Sequence, residues 1–91
     1  MEDEEITFTV LDILFKKVKW GGAHISYDKI VRWIGNKVKR NGKRVRKIVD
    51  KLIKDGVIIS KPTHYGKEIS LNPKERERII EIISKYYKIS Y

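Results

Sequence analysis

Nine lysine and arginine residues lie between positions 37 and 54, where the only acidic residue is Asp50. Guanidinium and ammonium groups pair with phosphates, and they also hydrogen-bond to the O6 and N7 acceptors of guanine. The whole chain has a formal charge of +9, yet residues 1–5 contain four acids. This asymmetry favours a polyanion as the partner of segment 37–54.

Other residues that could do chemistry are few. Cysteine is absent, which excludes disulfides, thiolate metal sites and a cysteine nucleophile. His24 and His64 are 40 positions apart, and neither has a second metal-binding group at a useful spacing. The sequence shows no glycine-rich phosphate loop and no nucleophile beside a base, and the carboxylates of segment 75–81 alternate with arginines as ion pairs do. We therefore predict no enzyme activity, no metal site and no cofactor.

The basic segment belongs either to a disordered arm or to the charged side of a helix. Four apolar residues inside it follow the helical spacing i, i+3, i+4, i+7: Val45, Ile48, Val49 and Leu52. A disordered arm has no reason to carry such a pattern. The sequence predicts a helix over 42–55, capped by Asn41, ended by Gly56, and basic on its outer side.

Four further elements are predicted around this helix. The first is an amphipathic helix over 6–19, preceded by an acidic tail at 1–5 and ended by Gly21 and Gly22. A short strand before Ser26 is possible, and a second helix begins at Ser26. Segment 57–71 reads as a β-hairpin turning at "PTHYG", and segment 73–88 as a last helix capped by Asn72.

Length and composition agree with one small domain, because 91 residues leave no room for a second one. No apolar run approaches the roughly 20 residues that cross a bilayer, and the acidic N-terminus is unlike a secretory signal. We expect a cytoplasmic, nucleoid-associated protein without a membrane partner. The chain has no glutamine and is rich in lysine, glutamate and isoleucine, which indicates a thermophile or an AT-rich genome.

The order of these elements resembles the winged helix-turn-helix domain. The most specific part is "RVRKIVDKLIKDGVI", residues 44–58, which looks like the recognition helix and the start of the wing in small bacterial and archaeal regulators. The resemblance implies an α+β fold: a three-helix core with a helix-turn-helix, a two-stranded β-hairpin wing and an additional C-terminal helix. One departure is the link from Gly35 to Val45, which is longer than the usual turn by about one helical turn.

The resemblance also implies how double-stranded DNA would be bound, with helix 42–55 in the major groove and wing 61–67 on the backbone or minor groove. Candidates for base contacts are Lys43, Arg44, Arg46, Lys47 and Asp50. Candidates for phosphate contacts are Lys37, Lys39, Arg40, Lys51 and Lys54, and those on the wing are Lys61, His64, Tyr65 and Lys67. The chain lacks the flanking helices and thiolates of relatives that sense small molecules or metals, so we expect no such ligand.

The last helix carries more apolar residues than one core contact needs. This predicts a homodimer with an interface containing Ile79, Ile80, Ile83, Tyr86 and Tyr87. The expected function is a small dimeric transcription regulator of an archaeon or its virus. Three alternatives stay open: a protein- or RNA-interaction module, a nonspecific architectural DNA binder, and a lysine-rich face that is only solvated. Trp20 and Trp33 are expected to pack at the core or its edge, or else to stack on bases.

Overall fold

The computed structural model describes residues 2–37 and 41–90, with side chains through residue 86. In these residues it contains helices α1 (Asp3–Lys16), α2 (Tyr27–Lys37), α3 (Gly42–Lys54) and α4 (Arg76–Ser90), and strands β1 (Ile25–Ser26), β2 (Ile58–Thr63) and β3 (Gly66–Leu71). The strands form one antiparallel sheet in the order β1-β3-β2. The predicted α+β class is confirmed, and the winged-helix family stays a prediction.

Helix α1 begins at Asp3, so the prediction of an acidic tail over residues 1–5 was wrong for positions 3–5. Glu2 and Glu5 form a reciprocal capping box, and the first turn is acidic throughout. Carboxylates are favourable there because the helix dipole is positive at its N-terminus. The acids that looked like a solvated tail therefore stabilise the start of a helix.

The other end of α1 also differs from its prediction, because the helix stops at Lys16 rather than Lys19. The backbone of Lys19 accepts a hydrogen bond of 2.7 Å from the Leu71 amide, and Gly21 donates one of 3.0 Å back to Leu71. Pairing with β3 thus draws this segment out of the helix. Val18 takes a positive φ of 54° at the exit, a conformation that is unusual for a β-branched residue.

Helices α2 and α3 approach each other at two glycines. A Cβ on Gly35 would lie 3.0 Å from the Cα of Gly42, so the close approach needs glycine at position 35. Glycine in a helix usually weakens it, and at position 35 it instead permits packing. Helix α2 continues to Lys37, and α3 begins at Gly42. Val38, which follows Ile30 and Ile34 at the same spacing of four in the sequence, lies outside the described residues.

Helix α3 has the caps that its sequence predicts. The Asn41 side chain accepts a hydrogen bond of 3.2 Å from the Arg44 amide, and Gly56 follows the helix with a φ of 82°. Val45, Val49 and Leu52 are buried, and Ile48 packs against the same core. The predicted inner side of this helix is confirmed.

The hairpin turns more tightly than "PTHYG" suggests. Thr63 pairs with Gly66, which leaves a two-residue turn of His64 and Tyr65. Pro62 lies within β2, although a proline nitrogen has no hydrogen to donate to a neighbouring strand. The proline is tolerated because β2 is an edge strand. On the opposite edge of β3, the short β1 pairs Ile25 with Ile69, so the hairpin is part of a three-stranded sheet.

Helix α4 closes the core, and this corrects part of the predicted dimer interface. It follows a 3-10 turn over Pro73–Glu75, at which Asn72 accepts a 3.0 Å hydrogen bond from Lys74. Ile79 and Ile83 are buried in the same hydrophobic cluster as α1, α2, α3 and the sheet. Their apolar surface is therefore buried within the monomer, where both side chains belong to the core of 17 buried hydrophobic residues. No helix in residues 2–37 and 41–90 is long and apolar enough to cross a membrane.

Candidate nucleic-acid interface

The side of α3 opposite the core carries four exposed cations, here called the basic face: Lys43, Arg46, Lys47 and Lys54. The helical repeat places Lys43, Lys47 and Lys54 opposite Val45 and Val49, and Arg46 on the border of that arc beside α2. None of the four forms an ion pair with a carboxylate among the described residues. Their charge is therefore available to an external anion.

Arg44 is also on α3, but it already has an anionic partner. Its guanidinium contacts the Asp3 carboxylate through Nε at 2.8 Å and through a terminal nitrogen at 2.7 Å. Asp3 lies at the start of α1, so this pair ties the N-terminus of the first helix to the side of α3. Arg44 was predicted as a base contact, and the structure places it on the α1 border of the helix, away from the centre of the basic face.

Asp50 lies at the centre of a cluster that joins α2, α3 and the hairpin. Its carboxylate accepts a hydrogen bond of 2.8 Å from the Tyr27 hydroxyl and lies 3.7 Å from the Lys67 ammonium. The Lys67 ammonium is also 4.2 Å from the centre of the Tyr27 ring, within cation–π range. Asp50 was predicted to accept from cytosine, and one of its oxygens instead serves these two neighbours.

Tyr27 is fixed as a hydrogen-bond donor in this cluster. Burial, the hydrogen bond to Asp50 and the charge of that carboxylate together raise the pKa of the Tyr27 phenol well above its ordinary value. Each of these effects disfavours the phenolate. The hydroxyl therefore keeps its proton at neutral pH and holds Asp50 in place.

The far end of the hairpin, residues 61–66, is exposed throughout. Tyr65 in the turn is 97 % exposed, with His64 beside it. The Thr63 hydroxyl donates a hydrogen bond of 3.2 Å to the Gly66 carbonyl, and it accepts one of 3.4 Å from the Tyr65 amide. These bonds hold the turn while its side chains point outward. Lys61 is exposed and Lys67 half-buried, as its contacts with α2 and α3 require.

Four of the five predicted phosphate contacts lie away from the basic face or outside the described residues. Lys51 is exposed on the same α1 border of α3 as Arg44, where it lines a groove of about 410 Å³ between α1 and α4. Lys37 is exposed at the end of α2. Lys39 and Arg40 lie outside the described residues.

Arg32 joins the basic residues although nothing predicted it. It lies on α2 and lines, with Arg46, an open cleft of about 380 Å³ beside the junction of α2 and α3. Asp28 lines the same cleft, so the cleft contains one carboxylate. The sequence does contain a signal for Arg32, because it lies on the polar side of the amphipathic pattern of α2. A search for basic residues on the polar side of α2, as well as of α3, would have found it.

Of the remaining predicted interface residues, Tyr86 lines the groove between α1 and α4. Tyr86 stacks on Phe8 with ring centres 3.9 Å apart and ring planes 15° apart. Ile82 lines the groove, and Ile80 is half-buried on α4. Two acids, Asp3 and Glu4, and two lysines, Lys51 and Lys85, also line the groove. The side chain of Tyr87 is outside the described residues.

The described residues contain no group of three or more histidine, aspartate or glutamate side chains placed to hold a metal ion. The side chains of the basic face are cations that donate hydrogen bonds. Comparison of the chain with protein-family models, with curated proteins and with solved structures gives no match.

Proposed function

We propose that the protein binds double-stranded DNA, with α3 in the major groove and the hairpin along the backbone or in the adjacent minor groove. The observation that carries the proposal is the basic face. It consists of four exposed cations, without carboxylate partners among the described residues, on a helix whose other side is anchored in the core. A rigid helix presented in this way suits the width of the major groove.

The exposed cations divide into two roles along α3. Lys43, Arg46 and Lys47 lie in its N-terminal half, the part nearest the base edges in the winged-helix arrangement, and they can donate to guanine. Lys54 at the other end, with Lys37 on α2, is suited to phosphates, which fix register without reading sequence. Lys39 and Arg40 remain predicted phosphate contacts. Arg44 becomes a further phosphate contact when a DNA phosphate displaces the Asp3 carboxylate from its guanidinium.

The hairpin supplies a second contact at a fixed angle to α3. Tyr65, His64 and Lys61 are exposed, while Lys67, the residue after Gly66 at the turn, is bound to Asp50 and Tyr27. The Tyr27–Asp50–Lys67 cluster thus sets the distance between the groove-binding helix and the hairpin. Asp50 acts mainly as a positioning residue in this proposal.

We further propose that the protein is a dimeric transcription regulator, paired through the α1–α4 groove. Phe8, Ile82 and Tyr86 leave apolar surface in this groove, and its lining also contains two acids, Asp3 and Glu4, and two lysines, Lys51 and Lys85. A two-fold axis across it would bring the acids of one copy to the lysines of the other. Two α3 helices about 34–36 Å apart would then read a palindromic site.

Fluorescence anisotropy of a mixed-sequence 30-base-pair duplex, titrated at several salt concentrations, tests DNA binding. We expect affinity to fall steeply with salt, with a slope of about 0.9 per phosphate contact. Lys47→Ala should weaken binding by about 1–3 kcal/mol if Lys47 contacts a base. Val49→Ala should instead lower the unfolding free energy by about 1–3 kcal/mol, because it leaves a cavity in the core.

The same titration separates the rival functions. Absence of binding even at low salt would refute the DNA proposal and favour a protein partner, and tighter binding to RNA of the same length would favour an RNA module. Equal affinity for every sequence after a genome-wide selection would indicate an architectural binder instead of a regulator. Wild-type affinity in Lys47→Ala would show that the basic face is not the contact surface.

A further inference from the structure

Trp33 lies at the centre of a second cationic surface, on the part of α2 that faces away from α3. Its side chain is exposed by 37 %, although the sequence favoured packing at the core or its edge. The Lys17 ammonium is 5.0 Å from the centre of the indole ring, and the Lys29 ammonium is 4.9 Å from it. We call these three residues the Trp33 patch.

The two lysines of the Trp33 patch have no anionic partner in the described part of the chain. No carboxylate of those residues forms an ion pair with either ammonium. The two ammonium groups lie within about 10 Å of each other, since each is about 5 Å from the same ring centre. An anion that reaches both would relieve their mutual repulsion, while the indole ring offers an apolar surface to a sugar or base.

The Trp33 patch continues from the basic face across α2. Arg46 of that face and Arg32 of α2 line one cleft. Lys29 is one turn from Arg32 and from Trp33 on the same helix, and Lys17 at the end of α1 completes the path. Asp28, the one acid along it, lies close to Gly66 of the hairpin turn. The cations named here thus extend from α3 across α2 to the end of α1, and Asp28 is the one carboxylate among the residues that line the cleft on this path.

We infer that the Trp33 patch binds the phosphate backbone of the DNA segment flanking the one held by α3. This inference rests on the proposed DNA binding and extends its footprint. Each DNA strand carries one negative charge per about 3.4 Å of helix axis, so a single strand segment can supply phosphates to both lysines. The patch thus adds affinity without adding sequence information, because it meets no base edge in a groove.

The first test uses Trp33 itself as the reporter. The chain has two tryptophans, so Trp20→Phe leaves Trp33 as the only one. Its emission should change as the 30-base-pair duplex is added and saturate at the concentration where anisotropy saturates. Thermal melting by circular dichroism checks that the variant is folded. Emission that stays constant while anisotropy rises would show DNA bound by α3 without reaching the patch, and it would overturn the inference.

The second test needs no change at Trp20. Lys17→Ala/Lys29→Ala should lower the salt slope by about 1.8, the value for two lost phosphate contacts. The control Lys74→Ala/Arg78→Ala removes the same charge from exposed positions beside the start of α4, and it should leave the slope unchanged. Equal slopes for the two double variants, with binding retained, would refute the patch and leave the proposed function standing. A wild-type protein that binds no duplex would refute both.

Acidic protein segments are negatively charged, as DNA is. Polyglutamate is the probe for a protein partner of this kind, and the duplex is the probe for DNA. Emission of Trp33 that responds to polyglutamate but not to the duplex, at equal ionic strength, would assign the patch to a protein partner and overturn the inference. Response to the duplex with no response to polyglutamate supports it.

Discussion

At the scale of single residues, two charges of α3 differ from their neighbours because of tertiary partners. Arg44 is bound by Asp3, and Asp50 by Tyr27 and Lys67, whereas Lys43 and Lys47 are exposed without such partners in the described residues. All lie within eight positions of one helix, so spacing alone cannot separate them. Their availability to DNA depends on segments 17 to 41 positions away.

Removing the partner of Arg44 should strengthen DNA binding. Asp3→Asn frees the guanidinium, and because exposed ion pairs contribute about 0.2–1 kcal/mol, affinity should rise by at most about fivefold. The measurement is duplex anisotropy at several salt concentrations, where the freed Arg44 adds up to about 0.9 to the slope. Glu4→Gln changes the same charge at the next position and is the control. Equal gains in both variants would mean that net charge alone matters.

Tyr27 makes the stability of the protein fall at high pH. Its pKa is raised in the folded state, so folding favours the neutral phenol. Its contribution is complete below about pH 10, where the phenol is neutral in both states, and falls as the pH rises above that value and the unfolded chain ionises. Urea unfolding between pH 8 and 11 should show a shallower decline in Tyr27→Phe than in the wild type. Parallel declines would place the titration elsewhere, on the lysines.

At the scale of elements, the contact between α2 and α3 depends on a glycine that looks unfavourable in sequence. Gly35 and Asn36 interrupt the apolar pattern of α2, yet the helix continues through both to Lys37. Gly35 is buried against Gly42, the first residue of α3. The orientation of α3, and so of the basic face, depends on this close approach.

Adding one methyl group at position 35 should therefore disturb the arrangement. Gly35→Ala places a Cβ 3.0 Å from the Gly42 Cα, and overpacking of this kind costs about 1–3 kcal/mol. Alanine is more favourable than glycine in a helix by about 0.5–1 kcal/mol, which offsets only part of that cost. We therefore expect a net loss of unfolding free energy. Gly22→Ala, whose Cβ meets nothing within 4 Å, should stay within about 0.5 kcal/mol of the wild type in the same urea titration. A more stable Gly35→Ala would mean that α3 moves freely.

At the scale of the whole molecule, charges are unevenly distributed. Most exposed side chains of α3 are cations, and three exposed acids, Glu2, Asp3 and Glu4, lie together at the start of α1. Asp3 and Glu4 line the α1–α4 groove, and single exposed acids such as Asp28 and Asp50 lie among the cations of α2 and α3. A DNA duplex and a second copy of the chain would thus use different surfaces. Dimerisation and DNA binding are compatible in this arrangement.

The proposed dimer has a charge-exchange test. The wild type should sediment as a dimer at about 100 µM protein, and Lys85→Glu should weaken the dimer by placing an acid against the acids that line the partner's groove. Adding Glu4→Lys to Lys85→Glu exchanges the charges and should restore association. A strict monomer in the wild type, or a double variant no better than Lys85→Glu, would contradict pairing through the α1–α4 groove.

The sequence by itself determined the α+β class, the inner and outer sides of α3, its caps at Asn41 and Gly56, and the hairpin. These features follow from local periodicity and from backbone preferences, which act over a few residues. Only the tertiary structure decided that Ile79 and Ile83 are core, that Arg44 and Asp50 have partners, and that Lys17 and Lys29 meet at Trp33. Those outcomes depend on contacts between residues distant in the chain, and no local pattern encodes such contacts.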